Sequence, residues 1–413
     1  MTILHVLEPF ATGVTTAVSS ICRELPDFTH IVIHGSRNWT ESTEKVKLRF
    51  PPAVTFVEWK SAAREISLKG DWKALWELVA ILKKYKPLSS KTENSIVVHL
   101  HSSKAGFLGR VACRFLGIKP VIYTPHCGPF LRTDISAFKR KMYYFFEWTG
   151  SLFGGRVVGC GPSEGEIYKK LGKNTTYVSN GIALREAAGN VIDAAGSEAG
   201  GNAGGEACNN TGVDKAVDTG AGASAKAGRK STSSAAGSRN LVGFLGLATF
   251  QKDPALWSEI ACSSAAFARE KGFSFCWIGD GPQAASLDRN CLLLTGWKSA
   301  GEAEELLGKT AVFLSSAAWE GLPYGVLEAM ASGCALLLRD VPGNRDLVLP
   351  GENGRLFKTK EEAVKQLKEM LEDRAALTVM GKRSREIIEN GFTLEQMGEG
   401  YRKIYLECYR GKR

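Results

Sequence analysis

Apolar residues in this chain gather in short β-rich runs separated by longer stretches with helical spacing. In the first half the runs are Thr2–Leu7, His30–Ile33, Val54–Glu58, Ser95–Leu100, Val121–Thr124 and Arg156–Cys160. Helical patterns such as Thr15–Leu25 and Trp72–Tyr85 lie between them. In the second half the runs are Leu241–Leu245, Phe273–Ile278, Cys291–Thr295, Ala311–Ser315 and Ala335–Arg339. Near-continuous apolar strands alternating with helices predict parallel sheets covered on both faces. Two such series predict two Rossmann-like domains. Ligands in such folds sit beyond the carboxyl ends of the strands, so the cleft between the domains is the expected site.

One stretch breaks the pattern. From Ala187 to Ser238 the chain is Gly, Ala, Ser and Asn with a few charges, without an aromatic residue or a leucine. Such a segment buries too little apolar surface to offset its ordering entropy, so a disordered linker or insertion is expected over 187–239. It separates an N-terminal domain, 1–186, from a C-terminal domain, 240–392, and a last helix, 393–413, expected to return to the N-domain.

Composition fits this picture. The chain has 413 residues, 44% hydrophobic and 23% charged, enough for two cores. No positive region precedes the first apolar run, and no apolar run is long enough to span a bilayer. A cytoplasmic protein with its ten scattered cysteines as free thiols is expected. His99 and His101 share one side of a strand, but no nearby carboxylate or cysteine completes a metal site. The net charge of +10 favours an anionic partner: phosphate-bearing substrate, membrane or nucleic acid. No nucleic-acid reader motif accompanies it.

The candidate chemistry centres on SSAAWEGLPYGVLEAMASG, Ser315–Gly333. A strand should end near Ser315, and a helix should start near Pro323 and stop at Gly333. Its N-terminus would seat a phosphate. Glu320 precedes the helix and Glu328 lies inside it. Carboxylates accept hydrogen bonds from vicinal hydroxyls, so the pair could hold a sugar and a ribose on either side of that seat. A capping Glu and a solvated Glu would fit the same pattern.

Here the sequence resembles a known family. A Glu, seven residues, then a Glu, with Gly321-Leu322-Pro323 after the first, is similar to the motif of retaining glycosyltransferase family 4, which has the GT-B fold of two Rossmann-like domains. VGFLGLATFQKDP, FCWIGDGP and LLLTGWKS resemble its C-domain strand ends, and LRDVPGNRDLVLPGENGRLF the segment after its donor helix. HLHSSKAGFLGR, YTPHCGPF and VSNGI resemble its N-domain loops. The resemblance implies transfer of a hexosyl unit from a UDP- or GDP-sugar to a glycan or lipid-linked hydroxyl acceptor in polysaccharide or glycolipid biosynthesis. It implies catalytic roles for Glu320, His126 and Lys252, and donor binding by Gly13, Gly246, Lys252, Gly279, Gly321, Leu322, Pro323 and Glu328. No cofactor or metal is expected, since neither domain has an Asp-x-Asp motif.

Two features complicate that reading. The family pattern has Gly-Arg where this chain has Gly246-Leu247, so a cation expected at the leaving diphosphate is missing. Arg345 and Lys298 are candidate substitutes; without one, a non-catalytic nucleotide-sugar-binding protein is the alternative. The loop Phe10-Ala11-Thr12-Gly13-Val14 is also poorer in glycine than the family pattern. Separately, FKRKMYYFFEWTGSLF, Phe138–Phe153, fits either a helix resting on the anionic inner face of a membrane or a buried helix with a basic turn.

Overall fold

The structure, a computed structural model, describes residues 1–35, 42–63, 66–86, 96–172, 174–184 and 239–410. The linker expected over 187–239 falls almost wholly outside the described residues. The first half builds a seven-stranded sheet in the order β3-β2-β1-β4-β5-β6-β7. Its strands are β1 Thr2–Leu7, β2 Thr29–His34, β3 Thr55–Glu58, β4 Ile96–His101, β5 Val121–Thr124, β6 Arg156–Gly159 and β7 Thr175–Tyr177. The second half builds a six-stranded sheet, β10-β9-β8-β11-β12-β13. Here the strands are β8 Leu241–Leu245, β9 Ser274–Ile278, β10 Leu292–Leu294, β11 Thr310–Ser315, β12 Ala335–Arg339 and β13 Gly354–Phe357. All pairings are parallel, as the apolar runs require.

The helices that cover these sheets are α1 Thr12–Glu24, the short α2 Thr43–Lys47, α3 Leu68–Tyr85, α4 Ser103–Leu116, α5 Ala137–Leu152 and α6 Pro162–Lys169 in the first half. In the second they are α7 Pro254–Glu270, α8 Ala300–Gly308, α9 Tyr324–Ala331, α10 Lys360–Glu372, α11 Arg374–Gly391 and α12 Leu394–Arg410. α1 and α3 begin earlier than their apolar periodicity, because their first turns are mostly exposed or half-buried. Strand order reverses between β1 and β4 and again between β8 and β11. Each reversal opens a crevice at the carboxyl ends of the strands.

α12 leaves the second half and packs on the first. Met397, Tyr401, Ile404 and Tyr405 are buried in one cluster with Ile3, Ile21, Val97 and Ile122. Tyr405 Oη lies 2.8 Å from His99 Nδ1, and Arg402 makes two bonds of 2.6 Å to Asp27.

Two expectations change. Cys262 and Cys291 form a disulfide, contrary to the expectation of free thiols throughout. The chain between them includes β9 and brings their Cα atoms to 5.1 Å, a proximity that a separation of 29 residues conceals. α5 is not a buried helix: only Glu147 and Gly150 are buried, while Phe138, Tyr144, Phe145 and Trp148 are exposed. Among the described residues no helix is long and apolar enough to cross a membrane.

Replacing Tyr405 by Phe leaves a buried His99 nitrogen without its partner. The expected cost is about 1–3 kcal/mol, read as a lower urea midpoint.

Candidate active site

A cavity of about 1830 Å³ lies between the two sheets. It is walled by the loops after β1, β4 and β5 on one side and by residues 249–252, 297–298 and 319–325 on the other. Gly13, His126, Gly246, Lys252, Gly279, Glu320, Gly321, Leu322 and Pro323 all line it. Glu328 does not: it lies on α9 with its side chain exposed. Desolvation by the protein around it raises its carboxyl to about 7.

Helix starts differ in how their first N–H groups are met. Ser42, Ser67, Ser136, Asp253, Ser299, Thr359 and Asp373 cap their helices with a side-chain oxygen. α1, α4, α6 and α9 have no such cap, and the residues that start α1, α4 and α9 line the cavity. Their first N–H groups are therefore available to an anion, at the positive end of each helix dipole. Pro323 directly precedes α9, and Gly333 at φ 74° follows its end, as the sequence pattern predicts.

Backbone strain collects in the same place. The positive-φ non-glycine residues among those described are Thr12, Ser102, His126, Cys127 and Asp253. The first four line the cavity, and the fifth follows Lys252. Such conformations persist where surrounding structure over-determines them. For the His126–Cys127 turn the device is Glu164 on α6. This buried carboxylate accepts from Cys127 N at 2.6 Å and Cys160 N at 2.8 Å. Glu164 escaped the sequence reading; in GPSEGE it looks like an ordinary first-turn carboxylate.

The two halves meet tightly here. Gly321 leaves no room for a side chain, since a Cβ would stand 2.9 Å from Cys160 Sγ and 3.0 Å from Cys127 N. Asn180 Nδ2 donates to Leu322 O at 3.0 Å, and Ser163 N donates to Asp346 at 2.9 Å. Gly279, at φ 130°, is needed where its strand end crosses that of Gly246: a Cβ would lie 2.3 Å from Gly246 O.

Glu320 is 5% exposed and fully engaged. Lys252 Nζ pairs with its Oε1, and Gln251 Nε2 donates to Oε2 at 3.2 Å and to Trp319 O at 3.0 Å. A buried carboxylate needs such partners. The lysine is thus held at the cavity wall, where an entering diphosphate would compete with Glu320 for it. Gln251 was not singled out from the sequence, though it adjoins Lys252. Leu247 is half-buried in the same wall. Of its candidate substitutes, Lys298 lines the cavity, whereas Arg345 is exposed elsewhere and bonds Asp340 at 2.8 Å. Further cations in the wall are Arg132, paired with Asp134 at 2.9 and 2.6 Å, and Lys104, 2.6 Å from Asp71.

Two parallel-sheet Rossmann-like domains with an anion-seeking cavity at their facing edges make the GT-B architecture. Sucrose-phosphate synthase from Thermosynechococcus elongatus shares this fold over 100% of both chains, with a TM-score of 0.70 at 13% identity. HepE of Anabaena, solved with UDP and glucose, shares it over 98% of this chain and 100% of its own, with a TM-score of 0.68 at 13% identity. In sequence, a family model described as Glycosyltransferase Family 4 matches residues 11–186, and one described as Glycosyl transferases group 1 matches residues 248–391. The chain belongs to glycosyltransferase family 4 and is a glycosyltransferase. An Escherichia coli relative, named UDP-Gal:alpha-D-GlcNAc-diphosphoundecaprenol alpha-1,3-galactosyltransferase, is 26% identical over 84% of this chain and 83% of its own length.

All six histidines lie in the first half. Burial pushes each below the ordinary 6.5, and His126 down to about 4. The unfolded chain takes up protons that the folded chain refuses, so this stability is present above pH 6.5 and is lost as pH falls below it. Each such histidine steepens the fall by about 1.4 kcal/mol per pH unit. Urea midpoints measured at pH 7.5 and 5.5 should differ strongly; equal midpoints would refute the buried neutral histidines.

Proposed function

We propose that the protein moves a hexosyl unit, with retention of anomeric configuration, from a UDP-sugar to a hydroxyl of a lipid-linked or polysaccharide acceptor. The observation that carries this reading is the Lys252–Glu320 pair in a cavity ringed by uncapped helix starts. The diphosphate sits on the N–H groups of α9 and α1 and draws Lys252 from Glu320. Released from the lysine, Glu320 accepts hydrogen bonds from the transferred sugar. Glu328 accepts from the ribose hydroxyls, and Gly279 and Trp297 flank the base. His126 reaches the sugar near the reacting carbon. The acceptor oxygen bonds to the anomeric carbon as the bond from that carbon to the diphosphate breaks. UDP departs with the bonding pair, and the acceptor's proton passes to the departing diphosphate. Lys252 and backbone dipoles offset the growing charge in place of a divalent cation. Retention follows from the family resemblance. UDP is favoured over GDP by the name of the E. coli relative and by the UDP bound to HepE.

Leu247 favours a second reading, a protein that binds the nucleotide sugar without turnover. UDP release should be followed over a panel of UDP- and GDP-sugars with lipid-linked acceptors. Turnover that persists in EDTA, and falls about 10²–10³-fold in Lys252→Ala, is expected. Leu247→Arg should leave turnover equal or faster. Tight UDP binding with no turnover, in either the wild type or Leu247→Arg, would decide for the second reading.

The acceptor side of the proposal includes an anionic membrane surface. Trp72, Trp76, Phe115, Phe138, Phe145 and Trp148 are exposed on the neighbouring helices α3, α4 and α5, with Lys139, Arg140 and Lys141 exposed beside them. Aromatic side chains suit the headgroup boundary, and lysines suit anionic lipids. Co-sedimentation with phosphatidylglycerol vesicles, weakened by salt and by Phe138→Ser/Phe145→Ser/Trp148→Ser, is expected. Absence of binding at low salt would remove the membrane from the proposal.

A further inference from the structure

Four of the histidines join end to end. His126 Nε2 lies 3.0 Å from His101 Nδ1, and His101 Nε2 lies 3.1 Å from His5 Nδ1. His5 Nε2 lies 3.1 Å from His30 Nδ1, and His30 Nε2 lies 2.9 Å from the Leu25 carbonyl oxygen. The ring centroids follow one another at 5.3, 5.4 and 5.3 Å. The row crosses the first sheet obliquely, from the loop after β5 through β4 and β1 to β2, shifting two residues along the strands at each step. Strand register makes this continuous on one face: His5 lies opposite His99, two residues before His101, and Ile3, two residues before His5, lies opposite His30. α12 covers that face.

The far end of the row fixes its polarity. A carbonyl oxygen only accepts, so His30 Nε2 carries the hydrogen. A neutral imidazole has one N–H, so His30 Nδ1 is bare and accepts from His5 Nε2–H. The same counting passes through His5 and His101. It ends with His126 donating through Nε2, which leaves its Nδ1 bare in a residue that lines the cavity. Burial keeps each of these rings neutral near pH 7, so the counting applies.

We infer that His101, His5 and His30 are positioning residues. Anchored on the Leu25 carbonyl, they lock His126 in its Nε2–H tautomer, so that it meets a substrate hydroxyl as a hydrogen-bond acceptor and not as a donor. His99 stands outside the row, with its nitrogens on Tyr405 Oη at 2.8 Å and Thr124 Oγ1 at 2.9 Å. His5, His99 and His101 lie close enough together to hold a metal ion, yet both nitrogens of His5 and of His99 are already engaged. The tautomer is independent of which sugar is moved. Its contribution to donor binding rests on the transfer reaction proposed above.

Long-range ¹⁵N–¹H spectra of the ¹⁵N-histidine-labelled full chain read the tautomers without turnover, with His126→Gln assigning its signals. His126, His101, His5 and His30 should each show a protonated Nε2 and a bare Nδ1. A protonated Nδ1 on His126, or a stoichiometric metal ion in the purified protein displaced by His5→Gln, overturns the proposal. His30→Leu removes the acceptor for His5 and leaves a buried N–H orphaned, which should turn the row around and protonate His126 Nδ1. An orphaned donor of this kind biases the tautomers by about fivefold or more. The donor KM should rise by a similar factor with kcat little changed, because bound substrate selects the competent tautomer. His30→Asp, which restores an acceptor, should return both the spectrum and KM. A folded His30→Leu whose His126 spectrum is unchanged also overturns the inference, and if that variant fails to fold, the wild-type spectrum still decides. Loss of turnover with the expected wild-type tautomers would count against the transfer reaction alone.

Discussion

Parallel strand pairing is the constraint from which the rest of this molecule follows. A parallel strand must be followed by a crossover, and a crossover helix begins where its strand ends. Strand carboxyl ends and helix amino ends therefore share one edge of each sheet. Two such edges facing each other bring many unsatisfied N–H groups to a single cavity. α1, α4 and α9 leave theirs uncapped there, while α3, α5 and α10 close theirs with Ser or Thr. An anion-binding cleft is thus built largely from backbone, and side chains adjust it.

Several of those side chains are paired across the cleft wall. Glu320 is buried, so without a ligand it takes Lys252 and Gln251 as partners. Asp71 and Asp134 treat Lys104 and Arg132 in the same way. A phosphate that enters beside Lys252, Lys104 or Arg132 meets cations that already have partners. It meets pairs that it must rearrange, which couples donor binding to the freeing of a carboxylate for the sugar. Leu247 fits this economy, since an arginine there would need a partner of its own while the site stood empty.

The sheets were legible in the sequence because buried parallel strands are apolar on both faces; most central strands begin and end within a residue of their runs. β7 and β13 escaped, being three- and four-residue edge strands without enough length to show a period. Gly321 and Glu320 were legible because a strand end, a proline and a glycine bracket them. Glu328 was read as a ribose ligand; it stands one turn along α9 from the cavity-lining Tyr324 and Gly325, with its side chain exposed. Glu164, the histidine row and the Cys262–Cys291 bond were illegible for a common reason. Each joins residues separated by a strand or more, and spacing along a chain carries no record of which residues a sheet register sets side by side.

The return of α12 has a consequence in time. The face of the first sheet that holds His5, His99 and His101 is closed by Tyr401 and Tyr405, which lie in the last helix. During synthesis the first half emerges with that face uncovered, and it stays so while the whole second half is made. Only when the 17 residues of α12 clear the ribosome can the histidine layer be sealed from water. The two halves therefore mature in reverse of their order in the chain: the second can complete its own core first, and the first waits for α12.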